Sequence, residues 1–519
     1  MITEDQAEIV EFLTSPAAHQ GSPVERIDTH ASIVFLAGPR AWKLKRAVKY
    51  DYLDFSTIDR RKAMCEAEVR INRRAAPGLY RDVVAVTRSS DGSLAIGGSG
   101  APVDWLIEMV RFDQDALFDR LAARGRLDVT LMSPLAAAIA RFHESAERRP
   151  DHGGASGMTW VVDGNAVGFV EQGKGILDQA ACARLTRQSR DVLRRHGDRL
   201  DNRRDGEAVR QCHGDLHLRN IVLLGGRPTL FDAIEFNDEI ACIDVLYDLA
   251  FLLMDLWRRE LPRHANVVWN RYLAETDDLG GIPLLPFFLS CRAAVRAKTS
   301  ATAAKLLDDP ARKVELEKLA RDYLTMAGRL LDPPPACLIA IGGTSGTGKS
   351  TIARLLAPSI GPVPGAVVIR SDEARKQLCG VDPLERLGPE GYTADITHRV
   401  YTAIGERAGD VVRGAHAAIV DAVFSRSADR EAIERIARAA HVPFVGIWLE
   451  APEPVLVARA AQRHLDASDA DADVIRAQLA RDPGVVTWHR IDSSRAVEDV
   501  LKSTVDIVRT RVPSDPVRH

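Results

Sequence analysis

Residues 343–350 read GTSGTGKS, set between the apolar run CLIAIG (337–342) and the helix-like TIARLLA (351–357). Gly343, Gly346 and Gly348 allow the main chain to fold its N–H groups around an anion, and a following helix points its positive end at the same place. Thr344, Ser345, Thr347 and Thr351 fill the loop and its exit. In this Walker A pattern Lys349 bridges the β- and γ-phosphates of ATP, and the Ser350 hydroxyl ligates Mg²⁺. A plain flexible loop is the competing reading; the strand before and the helix after argue against it.

Working outward, AVVIRSD, AAIVDAV and FVGIWLEA alternate with amphipathic helical segments, which predicts a parallel sheet covered on both faces. Asp421 ends AAIVD, where a carboxylate can hold the Mg²⁺ shell; a turn Asp is the bland alternative. Asp372 closes VVIRSD and faces the crevice at the strand ends, placed to accept a proton from an acceptor hydroxyl, with Arg375 one turn on to position the acceptor. A helix N-cap at Ser371 or Asp372 competes with that role. Arg459 and Arg463, one turn apart, would clamp the transferring phosphoryl group, unless they form a solvated face beside Glu450 and Glu453. Together GTSGTGKST, SDEAR, IVDAVF and WLEAPEPVLVARAAQR resemble the small P-loop kinases of the gluconate kinase, polynucleotide kinase and zeta-toxin group, over nearly all of 337–495. The resemblance implies that Asp372 contacts the acceptor and that Arg459 and Arg463 belong to a mobile lid. An oligomeric AAA-type motor fits less well, because the segment leaves little room for an extra helical lid domain and carries no second ATPase signature.

The first half holds a different constellation. CHGDLHLRNIVLL (212–224) sets Asp215 and Asn220 five residues apart before a short strand, and Asp232 closes PTLFD. A hairpin joining them would let Asp215 orient or deprotonate a hydroxyl while Asn220 and Asp232 hold Mg²⁺. Lys43 and Lys45 alternate on one face of AWKLKR, and CEAEVRIN supplies Glu66 and Glu68. Lys43 paired with Glu68 is the expected phosphate-facing couple, and Glu108 to Val110 would meet adenine through the main chain. A rival reading takes His213, Asp215 and His217 as metal ligands, but leaves Asn220 and Asp232 unexplained; a capping loop with buried histidine is the structural alternative. AWKLK, IARFHESA, HGDLHLRN, LFDAIEF and DVLYDLAFLL resemble the aminoglycoside phosphotransferase-like kinases, a branch of the protein-kinase fold, over about residues 25–300. The resemblance implies that Asp215 is the catalytic base, that Asn220 and Asp232 ligate metal, and that Asp248 braces the loop. Two departures stand out. DTHAS (28–32) replaces a glycine-rich loop, leaving Ser32 and main chain to cover phosphate, and Asp232-Ala233-Ile234 lacks the glycine of D-F-G.

The chain has 519 residues, enough for two to four domains, and its clearest seam is Pro333 to Pro335, which ends a helical stretch. The expected division is 1–332 as an α+β, bilobal protein-kinase-like domain, 333–336 as a linker, and 337–519 as an α/β P-loop domain. Hydrophobic residues make up 46% and charged residues 27%, a globular mix, and the net charge of −3 supplies no field for a nucleic acid or membrane surface. The arginine-rich stretch 184–204 reads as a solvated helix face. Seven cysteines, none within thirty residues of another, fit neither a zinc knuckle nor a disulfide framework. The acidic opening MITEDQAEIVEFL is unlike a signal peptide, and Asp244, Asp248 and Asp255 interrupt the longest apolar run, so the expected location is cytoplasmic. No feature specifies an oligomeric state. The expected function is a bifunctional ATP-dependent phosphotransferase acting on hydroxyls of small molecules; the alternative is a nucleotide-sensing pseudokinase half regulating a single active P-loop kinase.

Overall fold

The computed structural model describes residues 2–382, 385–461 and 469–512. The chain divides into two compact units, Met1–Arg259 with Cys291–Leu324, and Glu260–Ser290 with Thr325–His519. The proline run thus lies inside the second unit.

In the first unit, strands β1 (Val24–Asp28), β2 (Ser32–Ala37) and β3 (Arg40–Lys45) are followed by a short hairpin, β4 (Lys49–Tyr50) and β5 (Leu53–Asp54). Helix α1 (Ile58–Asn72) precedes β6 (Tyr80–Arg88), β7 (Leu94–Ile96) and β8 (Ala101–Val110). Six of these strands form an antiparallel sheet in the order β1-β2-β3-β8-β6-β7. Both faces are covered. Strand periodicity turns Trp42 and Leu44 to a core with Ile9 and Leu13, and Ala41 to one with Cys65 and Val69 of α1. Lys43 and Lys45 share the Ala41 face, which is why two lysines point under α1. The helical part carries β9 (Val209–Gln211), the hairpin β10 (Ile221–Leu224) and β11 (Arg227–Leu230), β12 (Cys242–Asp244) and helix α2 (Val245–Arg258), whose residues from Val245 to Leu256 are all buried.

The second unit is built on a five-stranded parallel sheet. Its strands are β13 (Leu338–Gly342), β14 (Val367–Arg370), β15 (Ala418–Asp421), β16 (Phe444–Glu450) and β17 (His489–Asp492), in the order β14-β15-β13-β16-β17. Every residue of β13 is buried, as a central parallel strand requires. β17 carries too little apolar sequence to stand out in the chain. The edge strand β14 is covered by helix α3 (Pro262–Thr276). Asn270 accepts from the Val368 N–H at 2.7 Å and donates to the Ala366 carbonyl at 3.1 Å, and Asn266 donates to the Pro364 and Ala366 carbonyls. These amides stand in for a missing neighbour strand. Within the helical run Leu279–Leu306 an 18-residue stretch is apolar enough to cross a bilayer, yet 67% of that stretch is buried within the protein.

Trp269 of α3 packs edge-on against His416 at 6.0 Å, and His416 Nε2 bonds the Gly365 carbonyl at 2.9 Å. Burial pulls the His416 pKa from 6.5 down to about 4, the carbonyl opposing only in part. The unfolded chain therefore takes up this proton near pH 6.5 and the folded chain only near 4. Stability from the neutral imidazole is present above pH 6.5 and lost toward pH 4, by about 3 kcal/mol. Urea midpoints from pH 7 to 4 should fall more steeply for the parent protein than for His416→Gln; parallel curves would contradict the burial.

Candidate active sites

In the first unit, β3 and α1 bring two lysines onto one carboxylate. Lys43 Nζ lies 2.7 Å from Glu68 Oε1 and 2.6 Å from Asp232 Oδ1. Lys45 Nζ lies 2.6 Å from Glu68 Oε2 and 2.5 Å from Glu235 Oε1. Glu68 is fully buried and Lys45 nearly so, whereas the Asp232 side chain is 46% exposed. Burial alone would discharge Lys43, but Asp232 and Glu68 more than compensate and hold its pKa well above the usual lysine range. Burial likewise opposes ionisation of Asp232, and Lys43 overrides it, lowering the carboxyl.

Asp232 sits at φ 62°, a left-handed conformation costly for a residue with a side chain. Side chains of the other lobe hold the segment in place. The Asp232 N–H donates to Tyr80 Oη at 3.0 Å, and the Ala233 N–H to Asn72 Oδ1 at 2.9 Å. The hairpin of β10 and β11 returns the chain so that Phe231 N–H meets the Asn220 carbonyl at 3.1 Å. Asn220 Nδ2 donates to the carbonyl of Asp215 at 2.9 Å and to its Oδ2 at 3.0 Å. Below, fully buried Asp248 accepts the His213 N–H at 3.0 Å, the Gly214 N–H at 2.9 Å and His143 Nε2 at 3.0 Å. This brace reaches the loop two residues before Asp215. His213 Nε2 bonds the Phe231 carbonyl, and His217 Nε2 lies 3.3 Å from Asp215 Oδ2 with its ring edge-on to Phe251. One His213 nitrogen is thus committed to main chain, which the metal reading of HGDLH did not foresee. Burial raises the Asp215 pKa, but His217 and then His213 outweigh it, leaving the carboxyl well below the ordinary range.

Expectation and geometry part at the adenine contact. β8 is paired on both sides; the Val110 N–H donates to the Leu79 carbonyl and the Arg111 N–H to that of Pro39. Those two donors are therefore not available to a base.

In the second unit the 343–350 loop turns at the C-terminal end of β13. A Cβ on Gly343 (φ +131°) would fall 2.3 Å from the Leu449 carbonyl oxygen, and one on Gly346 (φ +91°) 2.9 Å from that of Leu456. Only glycine fits either place. Gly348 caps helix α4 (Lys349–Leu356), which contains Ser350 and Thr351. Thr347 Oγ1 and Lys349 Nζ both donate to the Thr344 carbonyl, at 2.8 and 3.1 Å. Ser350 Oγ donates to buried Asp421 Oδ2 at 2.5 Å, and Arg370 Nη2 donates to Ser350 Oγ at 3.1 Å.

Helix α5 (Ser371–Cys379) starts directly after β14, with Asp372 in its first turn and no side-chain cap at Arg370. Arg375 donates to the Gly391 carbonyl at 2.7 Å and lies 4.8 Å from the Tyr392 ring centre, so its guanidinium is taken up by residues 391–392. Arg459 Nη2 donates to the Ser493 carbonyl at 2.9 Å; Arg463 lies outside the described residues. Helix α6 (Ala472–Leu479) contributes a contact that sequence did not suggest: Gln478 Oε1 accepts the Ser345 N–H at 2.8 Å. Also missed were Glu235, Tyr80, Asn72 and Arg370. Glu235 lies within the stretch LFDAIEF that carries the resemblance, but nothing local singles it out.

Residues 108–282 match the family model described as phosphotransferase enzyme family, and residues 338–482 the model described as AAA domain. Uncharacterized proteins of Mycobacterium bovis and of Mycobacterium tuberculosis strain H37Rv are each 28% identical over 510 residues, spanning 93% of this chain and 95% of their own. An adenylyl-sulfate kinase of Myxococcus xanthus is 29% identical over 123 residues, 24% of this chain and 62% of its own. Among solved structures, a choline/ethanolamine kinase family protein from Mesorhizobium loti is 14% identical with a TM-score of 0.38, covering 63% of this chain and 94% of its own. A gluconokinase from Sinorhizobium meliloti 1021 is 21% identical with a TM-score of 0.26, covering 34% and 93%. The chain thus has a two-part layout, a phosphotransferase-like stretch followed by a P-loop stretch.

Asp248→Asn tests the brace. An amide has one acceptor oxygen where the carboxylate has two, so at least one buried donor loses its partner. The expected cost is about 1–3 kcal/mol in urea unfolding; an unchanged midpoint would show that the loop is held elsewhere.

Proposed function

We propose that the protein is an ATP-dependent phosphotransferase with two separate magnesium–nucleotide sites, each passing the γ-phosphoryl group of ATP to a hydroxyl of a small molecule. The observation that carries the reading is the convergence of Lys43, Asp215, Asn220 and Asp232 from β3, the 213–220 loop and the end of β11. The residues fit Mg²⁺. Asn220 has its amide nitrogen committed to Asp215, which leaves the amide oxygen as the ligand atom, and Asp232 places one carboxylate oxygen on Lys43. These two would hold the ion in the first unit; Ser350 and Asp421 would hold it in the second. Bound there, Mg²⁺ neutralises charge on the triphosphate.

Asp215 is ionised and a weak base. It orients the acceptor hydroxyl through a hydrogen bond and takes the proton late, when the new oxygen–phosphorus bond has made that proton acidic. Lys43 holds the phosphates, anchored by Glu68. In the second unit Lys349 and the loop amides hold the phosphates, Asp372 faces the acceptor, and Arg459 and Arg463 have the role of clamping the transferring phosphoryl group. We assign the first activity to the site residues that fall within 1–332 and the second to those within 337–519. The acceptors are small hydroxylated molecules; balanced charge argues against nucleic acid and a membrane. A cytoplasmic location is consistent with seven unpaired cysteines.

The second reading, a nucleotide-sensing pseudokinase in the first half, is favoured by one feature: Ala233-Ile234 in place of the residues that normally follow the metal-binding Asp. Transfer of ³²P from γ-labelled ATP to a panel of hydroxylated metabolites separates the two. Asp215→Ala and Lys349→Ala should each abolish labelling of a different acceptor set, by at least about 100-fold. Labelling lost only with Lys349→Ala selects the pseudokinase, and labelling unaffected by either removes both.

Gln478 offers a further check. Its oxygen takes a loop N–H that a phosphate oxygen would need. Gln478→Ala should tighten ATP binding at the second site about 3- to 10-fold, the worth of one neutral hydrogen bond, read by calorimetry in an Asp232→Asn background. Weaker binding would show that Gln478 assists the nucleotide instead.

A further inference from the structure

The turn between β1 and β2 occupies the place of a glycine-rich loop but is closed on itself. The Thr29 N–H and Oγ1 both donate to the Ser32 carbonyl, at 2.9 and 2.8 Å, and the Ser32 N–H donates back to Thr29 Oγ1 at 2.9 Å. Arg46 pins it from the end of β3, donating from Nε to the Thr29 carbonyl at 2.8 Å and from its N–H to that of Ala31 at 2.9 Å. Ser32 is buried and its N–H is committed to Thr29 Oγ1, so that main-chain donor is not free for a phosphate. What the turn leaves outward is His30. Its ring lies 6.5 Å from that of Tyr50, which stacks on Tyr52 at 5.8 Å, and it makes no hydrogen bond among the described residues. The register Ser32↔Lys45 and Val34↔Lys43 puts the turn at the lysine end of the sheet.

We propose that His30 does the work of the absent glycine-rich loop, donating a ring N–H to a phosphate oxygen of the nucleotide held by Lys43 and Asp232. The register that pairs Ser32 with Lys45 sets this ring two residues beyond the lysine-bearing stretch of β3, at the end of the sheet where Lys43 and Lys45 meet their carboxylates. The imidazole carries at least one ring N–H to donate in either protonation state. A side-chain donor on a stiff turn replaces main-chain donors on a flexible one. The inference rests on the nucleotide site proposed above for the first unit.

The test uses the full chain in a Lys349→Ala background, with calorimetric titration of ATP and of adenosine. His30→Ala should weaken ATP at least 5-fold and leave adenosine unchanged, and His30→Gln, which retains a donor, should recover part of the loss. ATP affinity unchanged in His30→Ala, or ATP and adenosine weakened alike, overturns the role of His30 while the nucleotide site stands. A parent that binds no ATP removes the site itself, and His30's role with it.

Discussion

A buried carboxylate must find donors for both oxygens, and Asp248 finds three: two successive main-chain N–H groups and an imidazole. Because the two N–H groups belong to His213 and Gly214, meeting that requirement fixes the direction of the chain as it enters Asp215. Gly214, at φ 78°, permits the bend. From this point Asn220 is tied back to Asp215, the β10–β11 hairpin is tied to Asn220, and Asp232 emerges opposite Lys43. The geometry of the candidate site in the first unit is a chain of satisfied hydrogen bonds that begins on α2.

Charge is handled in the same way. Two lysines under α1 would repel one another, but Glu68 takes one on each oxygen, and Glu235 and Asp232 supply the remaining negative charge. Paired in this way every charge of the cluster faces an opposite one, and removing any one partner would strand a charge in low dielectric. The second unit sets fewer groups to the same purpose: Arg370 stands against Asp421, with the Ser350 hydroxyl between them.

Much of this was readable from the chain. The glycines at 343, 346 and 348, the lysine and serine after them and the apolar strand before them each have a local physical reason, so their pattern survives translation into structure. The sheet of the second unit was legible for four strands because buried parallel strands are continuous apolar runs; β17, with the sequence HRID, has none. Lys43 with Glu68 was recoverable from strand alternation and the following helix, whereas the part of Lys45 was not, since nothing in a sequence says that a second lysine will be roofed by α1. Tyr80, Asn72 and Gln478 act through single long-range hydrogen bonds, and such pairings leave no periodicity. That the Val110 N–H is already taken could not be read from the chain, because an edge and a central strand read alike, and β8 is central.

The amides of Asn266 and Asn270 reach a strand about a hundred positions later in the chain. A ribosome makes the cover first and the strand it shields afterwards, so β14 never has to emerge without its guard already synthesised. The direction of translation itself thereby protects the P-loop sheet from pairing with another nascent chain. A circular permutation that reversed this order would forfeit that protection while leaving every native contact in place.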